Sequence, residues 1–360
     1  MEIIEINDYQ NFLSLAESWS KFLKHCPHSI FSTWEWLSTW WKYFGKNKKL
    51  LILLAKENNK IIGIAPLMYS VHSLSALRRG KIEFIGTPDT DYNNFLIAEK
   101  RNDCLNLFFN HLYNIKEKWD CIDLLDIPTG SECLPFIAKT SSSMKIIRSC
   151  TYINLPKSTD VLLSTLSSNL RHLLRRNLAK LQNLNPDINL VDYSKIDPKK
   201  GMKILFRLHQ KRWLQKGSAG VYAEEIMCKF HLELAKSLSE KGLLALYSLE
   251  VSGKPISVLY GYKDKNKFYA YLSGLDPAYY RFSAGNLVFF KVMSHCIEEG
   301  LKEFDFLRGS EEYKERWSAN IRYNYQATYI KKGAIAKIHH SLYNEYWYQG
   351  NRLKYILKLK

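Results

Sequence analysis

Several features that would place the chain in a special class of protein are missing from the sequence. Its 360 residues include only 17 glycines and 10 prolines and no biased tract, which excludes a disordered or repetitive chain. No apolar run approaches the roughly 20 residues that span a bilayer. The start, Met1–Glu5, has neither the basic leader nor the apolar stretch of a secretory signal. The sequence therefore predicts a globular, cytoplasmic protein.

Metal-binding and DNA-binding signatures are also missing. The seven cysteines form no CxxC pair, and neither His25/His28 nor His339/His340 has cysteine or carboxylate neighbours at ligand spacing. We expect reduced, buried thiols and no metal ion. The absence of a helix-turn-helix or zinc-finger pattern argues against DNA as a partner.

Acidic residues are few relative to basic ones, with 35 Asp and Glu against 52 Lys and Arg, for a net charge of +17. Such an excess favours an anionic partner. Coenzyme A, tRNA, a lipid-linked sugar phosphate and a membrane surface all qualify. A solvated basic surface without a partner would give the same count.

The predicted elements follow one another in the same order twice. In the second half, apolar periodicity predicts a strand, two helices, a three-stranded meander, and then helix, strand, helix and strand. These elements fall at residues 188–191, 199–215, 223–241, 243–250, 255–262, 268–273, 285–299, 304–307, 311–317 and 325–331. The first half gives the same series at residues 3–6, 9–24, 33–44, 50–56, 60–69, 82–85, 102–118, 121–125, 131–139 and 145–148. We therefore predict a tandem duplication of one α/β unit with a mixed sheet.

The border between the two copies is predicted near residues 151–156. We expect an N-terminal domain at 1–153 and a C-terminal domain at 154–334, which begins with a long basic helical insertion at 159–184. A helical tail, 335–360, follows.

Four stretches resemble a known family, and they read FSTWEW at Phe31–Trp36, NLRHLLRR at Asn169–Arg176, HQKRW at His209–Trp213 and FDFLRGSEEYK at Phe304–Lys314. Together they resemble the CelD-like and BioF2-like group of GNAT acetyltransferases. These are tandem-GNAT proteins related to the Fem-type aminoacyl transferases of peptidoglycan bridges. The resemblance implies two GNAT-like domains, an acyl-CoA donor such as acetyl-CoA, and a role in cell-envelope polysaccharide pathways.

The junction at residues 276–286 is suited to a diphosphate. A helix N-terminus presents unpaired N–H groups and a partial positive charge, and Arg281 adds a formal charge. GNAT enzymes place Gln/Arg-x-x-Gly-x-Gly/Ala here, whereas this chain has Ala284 at the first glycine position, Gly285 one residue late and Asn286 at the last. The alternative is that Ser283 simply caps a helix. The predicted donor contacts are Leu272, Ser273, Arg281, Phe282, Ser283, Ala284, Gly285 and Asn286.

The corresponding junction of the first half, residues 86–94, carries two carboxylates and no arginine. Carboxylates repel a diphosphate, so we predict that this half serves the acceptor, a hydroxyl-rich or amine compound. An ordinary Asx-capped turn is the alternative. The predicted acceptor contacts are Asp91, Tyr92, Trp36, Arg175, Arg212 and Lys314.

Acyl transfer from a thioester to an amine needs a base for the nucleophile and an acid for the leaving thiolate. Tyr313, which follows the 304–307 strand, corresponds to the acid of many GNAT enzymes, although it could instead pack on the core beside Trp317. Asp305, Glu311 and His209 are the candidate bases. Asp305 could equally form a structural ion pair, and a core histidine is the plainer interpretation of His209.

Two basic segments have both a binding and a structural interpretation. Arg171, Arg175, Arg176 and Lys180 form one face of a predicted amphipathic helix, which could clamp a phosphate or tRNA or could simply be solvated. The tail, with Trp347, Tyr348, Arg352, Lys354 and Lys358, could rest on an anionic membrane surface or pack on the second domain.

Three functions remain open from the sequence. The first is an N- or O-acyltransferase that uses acyl-CoA on a small or lipid-linked sugar acceptor of envelope polysaccharide assembly, at the inner face of the membrane or free in the cytoplasm. The second is a Fem-type aminoacyl transferase that uses charged tRNA. The third is a degenerate, non-catalytic scaffold of a polysaccharide pathway.

Overall fold

The computed structural model describes residues 1–74, 77–115, 119–184, 187–309, 311–317 and 319–331. The tail predicted at 335–360 lies outside the described residues. The chain divides into two compact units: one is residues 1–148 with the described residues from Tyr323 onward, and the other is residues 149–322.

The first half contains two long β-hairpin strands, shorter strands and five helices that follow the predicted order. Their bounds are β1 Glu2–Ile6, α1 Tyr9–Ser14, α2 Ala16–Leu23, α3 Trp34–Phe44, β2 Lys48–Glu57, β3 Lys60–Leu74, β4 Leu77–Phe84, β5 Leu96–Ile97, α4 Arg101–Asn114, β6 Cys121–Pro128, α5 Leu134–Thr140 and β7 Ser143–Asn154. The single helix predicted at 9–24 is in fact two helices, because α1 ends and α2 begins around Leu15.

The second half repeats that order after two inserted helices. Its elements are α6 Thr159–Thr165, α7 Ser168–Leu184, β8 Ile188–Asp192, α8 Tyr193–Ile196, α9 Pro198–Gln215, α10 Glu225–Glu240, β9 Leu244–Val251, β10 Lys254–Lys263, β11 Lys267–Leu275, α11 Ala284–Glu298, β12 Glu303–Arg308, α12 Glu312–Glu315 and β13 Asn320–Ile330. The insertion predicted as one helical segment is divided because Ser167 accepts a hydrogen bond from the Leu170 N–H and begins a new helix.

The paired strands of the first and second units are called the first and the second sheet. The strand order is β1-β2-β3-β4-β6-β13 in the first unit and β7-β12-β11-β10-β9-β8 in the second. Neighbouring strands are antiparallel except for one parallel pair in each sheet, β4 with β6 and β11 with β12. This mixed α/β architecture, occurring twice, is the predicted fold class.

The unit boundaries differ from the predicted ones at 153/154 and 334. The predicted border lies inside β7, whose residues Cys150–Asn154 pair with β12. The strand expected to end the second domain, β13, pairs instead with β6 of the first unit. Strand partners are non-local, so periodicity predicts the strands but not where they pair.

The two hydrophobic cores form on the sheet faces that the helices cover. In the first unit, α4 buries Phe108 and Leu112 against the sheet residues Leu53 and Ile122. In the second, α11 buries Val288 and Val292 on a face that also includes Tyr247 and Leu259. The opposite face of the second sheet is covered by α9 and α10, which contact each other and the central strands. The site described below lies where these elements surround β11.

Candidate functional site

The strands β11 and β12 diverge soon after they begin. Their parallel pairing covers only Lys267–Tyr269 and Glu303–Asp305, whereas β11 stays paired with β10 as far as Leu275. A register shift against β10 leaves Tyr271 as an extra residue in β11, which is a β-bulge. In the described residues, the β11 edge beyond Tyr269 has no ladder partner on the β12 side. The ladder positions of Leu272 and Ser273 on this side are therefore open to an extended ligand.

The predicted donor contacts Leu272 and Ser273 lie on this open part of β11. Both side chains are half-buried, in contrast to the fully buried side chains earlier in the strand. The strand then leads into a 3₁₀ helix, Pro277–Phe282, which ends directly before α11. The open edge and the start of α11 are thus consecutive along the chain.

The N-terminus of α11 has no side-chain cap. Ser283, the predicted cap, has a left-handed backbone with φ of 51° and makes no capping bond. Its Oγ instead accepts a hydrogen bond of 3.1 Å from Nδ2 of Asn177, a buried residue of α7. The first N–H groups of α11, from Ala284 to Asn286, are therefore left to an external acceptor, and the helix dipole favours an anion there.

Arg281 adds a positive charge next to this helix start. Its side chain is exposed, and its guanidinium lies 4.7 Å from the ring centre of the buried Phe282. Among the described residues Arg281 has no carboxylate partner. Gly285 is not required by packing, since an added Cβ would meet only Leu275 at an ordinary 3.7 Å. The structure thus places all eight predicted donor residues on one continuous stretch, and their contact with a donor stays a prediction.

The helix α7 is amphipathic as predicted. It buries Leu170, Leu174 and Leu181 and leaves Arg175 exposed, together with Arg176 and Lys180. Because Asn177 bonds Ser283, this basic helix is anchored at the residue that precedes α11. The acceptor role predicted for Arg175 stays a prediction.

Tyr313 packs between Phe289 of α11 and Phe306 of β12, with ring centres 5.6 and 6.5 Å away. Burial raises the pKa of its phenol, the Glu311 carboxylate raises it further, and the Arg212 guanidinium opposes the rise. The phenol therefore holds its proton at neutral pH, as a general acid must.

Lys314 was predicted to contact the acceptor, but its side chain is 3% exposed. Its ammonium donates to the Arg308 carbonyl oxygen at 2.8 Å and pairs with a Glu311 oxygen at 2.8 Å. It therefore holds the loop after β12 and has little surface to offer an acceptor. Glu311 itself is 56% exposed, so its carboxylate is accessible from solvent.

Asp305 is completely buried. One carboxylate oxygen accepts a hydrogen bond of 2.8 Å from the Leu307 N–H, and Arg322 Nη1 lies 3.9 Å from the other. Leu307 has a positive φ of 61°, and the pairing of β12 with β7 shifts register here. The geometry favours a structural role for Asp305, in which its carboxylate fixes an irregularity in β12.

His209 and Arg212 lie on α9, the helix on the face of the second sheet opposite α11. His209 is 3% exposed and is surrounded by the rings of Trp213 and Tyr222, at 5.8 and 4.9 Å. Burial lowers the pKa of His209 to about 4, so its imidazole is neutral at pH 7. Arg212 is half-buried, and its charge contributes to that lowering.

Sequence reasoning missed the side chains around His209. Tyr222, His231, Tyr260, Tyr262 and Tyr271 gather on the same sheet face. A signal was present in β10, because Tyr260 and Tyr262 are two residues apart and so point to one face.

In the first unit, the predicted acceptor residues are buried. Trp36 is 0% exposed and packs against Phe31 at 4.8 Å, so it holds α3 in the core and offers no surface to an acceptor. Asp91 and Tyr92 are 3% and 5% exposed. The Asp91 carbonyl accepts a hydrogen bond of 2.7 Å from Asn324 Nδ2. Their acceptor role stays a prediction that burial does not favour.

The loop that contains these residues is bonded to the end of β6. The Asn93 N–H donates to the Asp126 carbonyl at 2.9 Å, and its Nδ2 donates to the Leu125 carbonyl at 3.0 Å. Thr90 Oγ1 donates to Asn93 Oδ1 at 2.8 Å. The loop therefore occupies the space beside the divergence of β4 and β6.

The described residues contain neither a membrane-spanning helix nor a metal-binding cluster. None of the helices there combines the length and the apolar character that a membrane crossing needs. Within the same residues, no three His, Cys, Asp or Glu side chains converge in a way that could hold a metal ion.

Comparison with known proteins identifies the fold of this site. Residues 168–315 match the family profile described as acetyltransferase (GNAT) domain. No curated protein sequence matches the chain. FemX is 12% identical, over 94% of this chain and 99% of that chain, with a TM-score of 0.67.

Two further solved structures match along most of the chain. The C-terminal domain (DUF2156) of a putative lysylphosphatidylglycerol synthetase from Agrobacterium fabrum is 12% identical over 92% of this chain and 95% of that chain, with a TM-score of 0.56. A tandem GNAT protein from the clavulanic acid biosynthesis pathway is 9% identical over 92% and 100%, with a TM-score of 0.51. Identities this low establish the fold alone. Residues 168–315 therefore form a GNAT acetyltransferase domain, and the chain as a whole shares its fold with FemX and with the tandem GNAT protein.

Proposed function

We propose that the protein is an N- or O-acyltransferase that moves an acetyl group from acetyl-CoA to an amine or hydroxyl of an amino sugar or another cell-envelope polysaccharide precursor. One observation carries this proposal. Among the described residues, β11 has no ladder partner on the β12 side at Leu272 and Ser273, and the chain continues through the 3₁₀ helix Pro277–Phe282 to an uncapped helix N-terminus beside Arg281, which has no carboxylate partner there. An acyl-CoA has an extended arm with amide groups and a diphosphate at its end. The strand edge suits the arm, and the helix start suits the diphosphate.

The chemistry asks for little beyond positioning and two proton transfers. The acceptor nitrogen or oxygen attacks the thioester carbonyl, a new N–C or O–C bond forms, and the C–S bond breaks. Tyr313 keeps its proton at neutral pH and can give it to the departing thiolate. Glu311, the accessible carboxylate among the candidate bases, can take the proton that the nucleophile loses.

The acceptor class rests on the family resemblance and on charge. A net charge of +17 suits an acceptor that carries phosphate, such as a lipid-linked sugar at the inner face of the cytoplasmic membrane. Work at that surface would need only peripheral contact.

Donor binding can be tested by thermal unfolding with acetyl-CoA. A ligand at 100 times its Kd stabilises a protein by about 2.7 kcal/mol, and this should raise the wild-type Tm by several degrees. The variant Arg281→Glu should lose the shift, because it reverses the charge beside the diphosphate. The matched control Lys236→Glu reverses an exposed charge on α10 and should keep the shift. No shift with acetyl-CoA or longer acyl-CoAs in the wild type would refute the proposal.

The second candidate is aminoacyl transfer from charged tRNA. The basic face of α7, anchored at the start of α11, favours it together with the net charge. Contacts to RNA phosphates release counterions, so tRNA binding should weaken steeply as salt rises. Tight, salt-dependent tRNA binding without an acetyl-CoA shift would select this function over the first. If neither donor binds, the scaffold interpretation is the one that remains.

A further inference from the structure

A group of histidine and tyrosine side chains fills the face of the second sheet that α9 and α10 cover. We call it the histidine–tyrosine cluster, and its members are His209, Tyr222, His231, Tyr260, Tyr262 and Tyr271. The ring of Tyr222 lies 4.9 Å from that of His209 and 5.6 Å from that of His231, and so contacts both. The Tyr271 ring is 5.5 Å from His231. Helix and strand side chains thus converge on one polar, aromatic region.

Three polar atoms of the cluster are buried without a hydrogen-bond partner among the described residues. They are Nδ1 of His209, the hydroxyl of Tyr222 and Nε2 of His231, whose side chains are 3%, 5% and 0% exposed. A buried polar atom left unpaired destabilises the folded protein, because it has lost its hydrogen bonds to water. Three such side chains, with both histidine ring centres within 5.6 Å of that of Tyr222, indicate a place where a ligand supplies the missing partners.

The hydrogen bonds within the cluster determine what His231 can offer. Tyr262 donates to the Tyr260 hydroxyl at 3.0 Å, so the Tyr260 proton is free to point at His231 Nδ1, 3.4 Å away. His231 then accepts at Nδ1 and carries its own proton on Nε2. The unpartnered Nε2–H is therefore a donor, while Tyr222 can donate or accept.

The cluster contains no charge at neutral pH. Burial lowers the pKa of His231 to about 3 and that of His209 to about 4, so both imidazoles are neutral. Burial likewise raises the pKa values of Tyr222, Tyr260 and Tyr262. A charged ligand group would lose its hydration here without gaining a counter-charge, whereas a hydroxyl or amide would not. The site therefore selects an uncharged hydrogen-bonding group.

Tyr222 lies on the connection between two helices, where its backbone carbonyl accepts from Cys228 Sγ at 3.4 Å and its ring packs on Phe206 at 4.5 Å. It belongs to a short 3₁₀ helix, Val221–Ala223, in the link between α9 and α10. Gly217 and Gly220 precede it with φ values of 74° and 70°, and a Cβ added to Gly217 would meet no atom within 4 Å. The hydroxyl of Tyr222 adds no bond within the described residues that would hold it in place. Displacing this ring would expose both histidines.

The cluster also approaches the proposed donor groove. Tyr271 is the bulged residue of β11 and is half-buried, and it is followed at once by Leu272 and Ser273 on the unpaired edge. A ligand bound at the cluster would thus lie beside the stretch of β11 that we assign to the acyl-CoA arm.

We propose that the histidine–tyrosine cluster binds an uncharged ring that carries hydroxyl and amide groups, the chemistry of an N-acylated sugar, with Tyr222 as its movable cover. The proposal rests on acyl transfer as the proposed function and names the acceptor-side site in the second unit.

The test measures the Tm of the full chain with millimolar N-acetylglucosamine, and separately with acetyl-CoA. The variant His231→Phe keeps an aromatic ring but removes the Nε2–H donor, and Tyr222→Phe removes only a hydroxyl. His295→Phe is the matched control, because it makes the same change on α11, on the opposite sheet face, where His295 contacts Tyr247.

We expect the sugar to stabilise the wild type and the control. Its apparent affinity should fall about tenfold in His231→Phe, the effect of one lost hydrogen bond of about 1.4 kcal/mol, and severalfold in Tyr222→Phe. Without ligand, Tyr222→Phe should keep the wild-type Tm, because its hydroxyl has no partner among the described residues, whereas His231→Phe should have a lower Tm, because it also removes the Nδ1 that lies 3.4 Å from the Tyr260 hydroxyl. If His231→Phe fails to fold, the apparent sugar affinity of Tyr222→Phe tests the proposal.

The proposal is overturned if N-acetylglucosamine does not stabilise the wild type, or if it stabilises all four proteins equally. The acetyl-CoA arm separates this failure from that of the proposed function. If the sugar raises the Tm and acetyl-CoA does not, only acetyl-CoA as the donor is refuted. If acetyl-CoA raises the Tm and the sugar does not, only sugar binding at the histidine–tyrosine cluster is refuted.

Discussion

Each unit contains a parallel pair of strands that diverge and leave a gap between them. The two units differ in what lies in that gap. In the first unit the pairing of β4 with β6 covers only Lys81–Ile82 and Cys121–Ile122, and the following loop then bonds to the end of β6 through Asn93. In the second unit the parallel pairing of β11 with β12 covers only Lys267–Tyr269 and Glu303–Asp305, and the chain after β11 continues into the 3₁₀ helix Pro277–Phe282. The fold thus has one divergence in each unit, and the second is the one to which we assign the proposed donor.

A buried aspartate at the same place in both sheets extends the comparison. Asp123 is the third residue of β6, and Asp305 is the third residue of β12. Asp123 pairs with Lys81 Nζ at 2.7 Å in the first unit. A carboxylate at this position is therefore compatible with a purely structural role, which weakens the assignment of Asp305 as a base.

The largest effect is expected from removing the charge that neutralises Asp123. Lys81 is buried between Asp123 and Glu83, at 2.7 and 2.8 Å. The variant Lys81→Met would leave two buried carboxylates facing each other and should lower the free energy of unfolding by about 3–5 kcal/mol. Denaturant titration measures the loss. The exposed pair of Lys60 with Glu99 is the control, since Lys60→Met should leave the free energy of unfolding nearly unchanged.

Acid should destabilise the second unit through its buried histidines. His209 and His231 have folded pKa values of about 4 and about 3, below the 6.5 of an unfolded histidine. The unfolded chain therefore binds protons first as pH falls below 6.5, and stability decreases down to the folded values. Between pH 7 and 4.5 each histidine should contribute a loss of about 3 kcal/mol. Denaturant titrations at both pH values should show a smaller loss for His231→Phe than for the wild type, and equal losses would contradict the interpretation.

The closed gap of the first unit should depend on Asn93. The variant Asn93→Ala leaves the Leu125 carbonyl and the Thr90 hydroxyl without their partner and should cost about 2–3 kcal/mol. The same change in the junction of the second unit, Asn286→Ala, should cost no more than about 0.5 kcal/mol. An equal loss in the free energy of unfolding for the two variants would contradict the difference between the two gaps.

The smallest effect is expected for the catalytic rate of Asp305→Asn. An asparagine oxygen can still accept the Leu307 N–H, so thiol release from acetyl-CoA should keep its kcat within about threefold, whereas losing a general base costs about 10²–10⁴-fold. Asp123→Asn is the matching change in the other sheet. A hundredfold loss confined to Asp305→Asn would restore Asp305 as the base.

The order of elements could be predicted from the sequence because it depends on local periodicity. The hairpin through Asn58 and Asn59 and the stop of α10 before Gly242 are local signals of this kind, and both are present. The donor junction could be located for the same reason, since strand, turn and helix follow one another directly.

What could not be predicted depends on contacts between distant residues. The sequence suggests that the Ser283 hydroxyl caps a helix. In the structure this hydroxyl instead accepts a hydrogen bond from Asn177, which lies 106 positions away. The sequence suggests that Lys314 is a free cation beside a site. In the structure its ammonium donates a hydrogen bond to the Arg308 carbonyl and forms an ion pair with Glu311. His231 and Tyr222 gave no motif, because their environment arises only when two helices cover the sheet.

The pairing of β13 with β6 has a consequence for how the chain is made. Residues 149–322 form a unit that is continuous in sequence, so it can fold as soon as it leaves the ribosome. The first sheet is incomplete, with the β6 edge unpaired, until the ribosome has synthesised residues 324–330, which lie nearly 200 positions after β6. An exposed strand edge invites aggregation, and the slow closure of so long a loop extends the time of exposure. The segment synthesised first is thus the one whose structure is completed last, and chains truncated before β13 should depend most on chaperones.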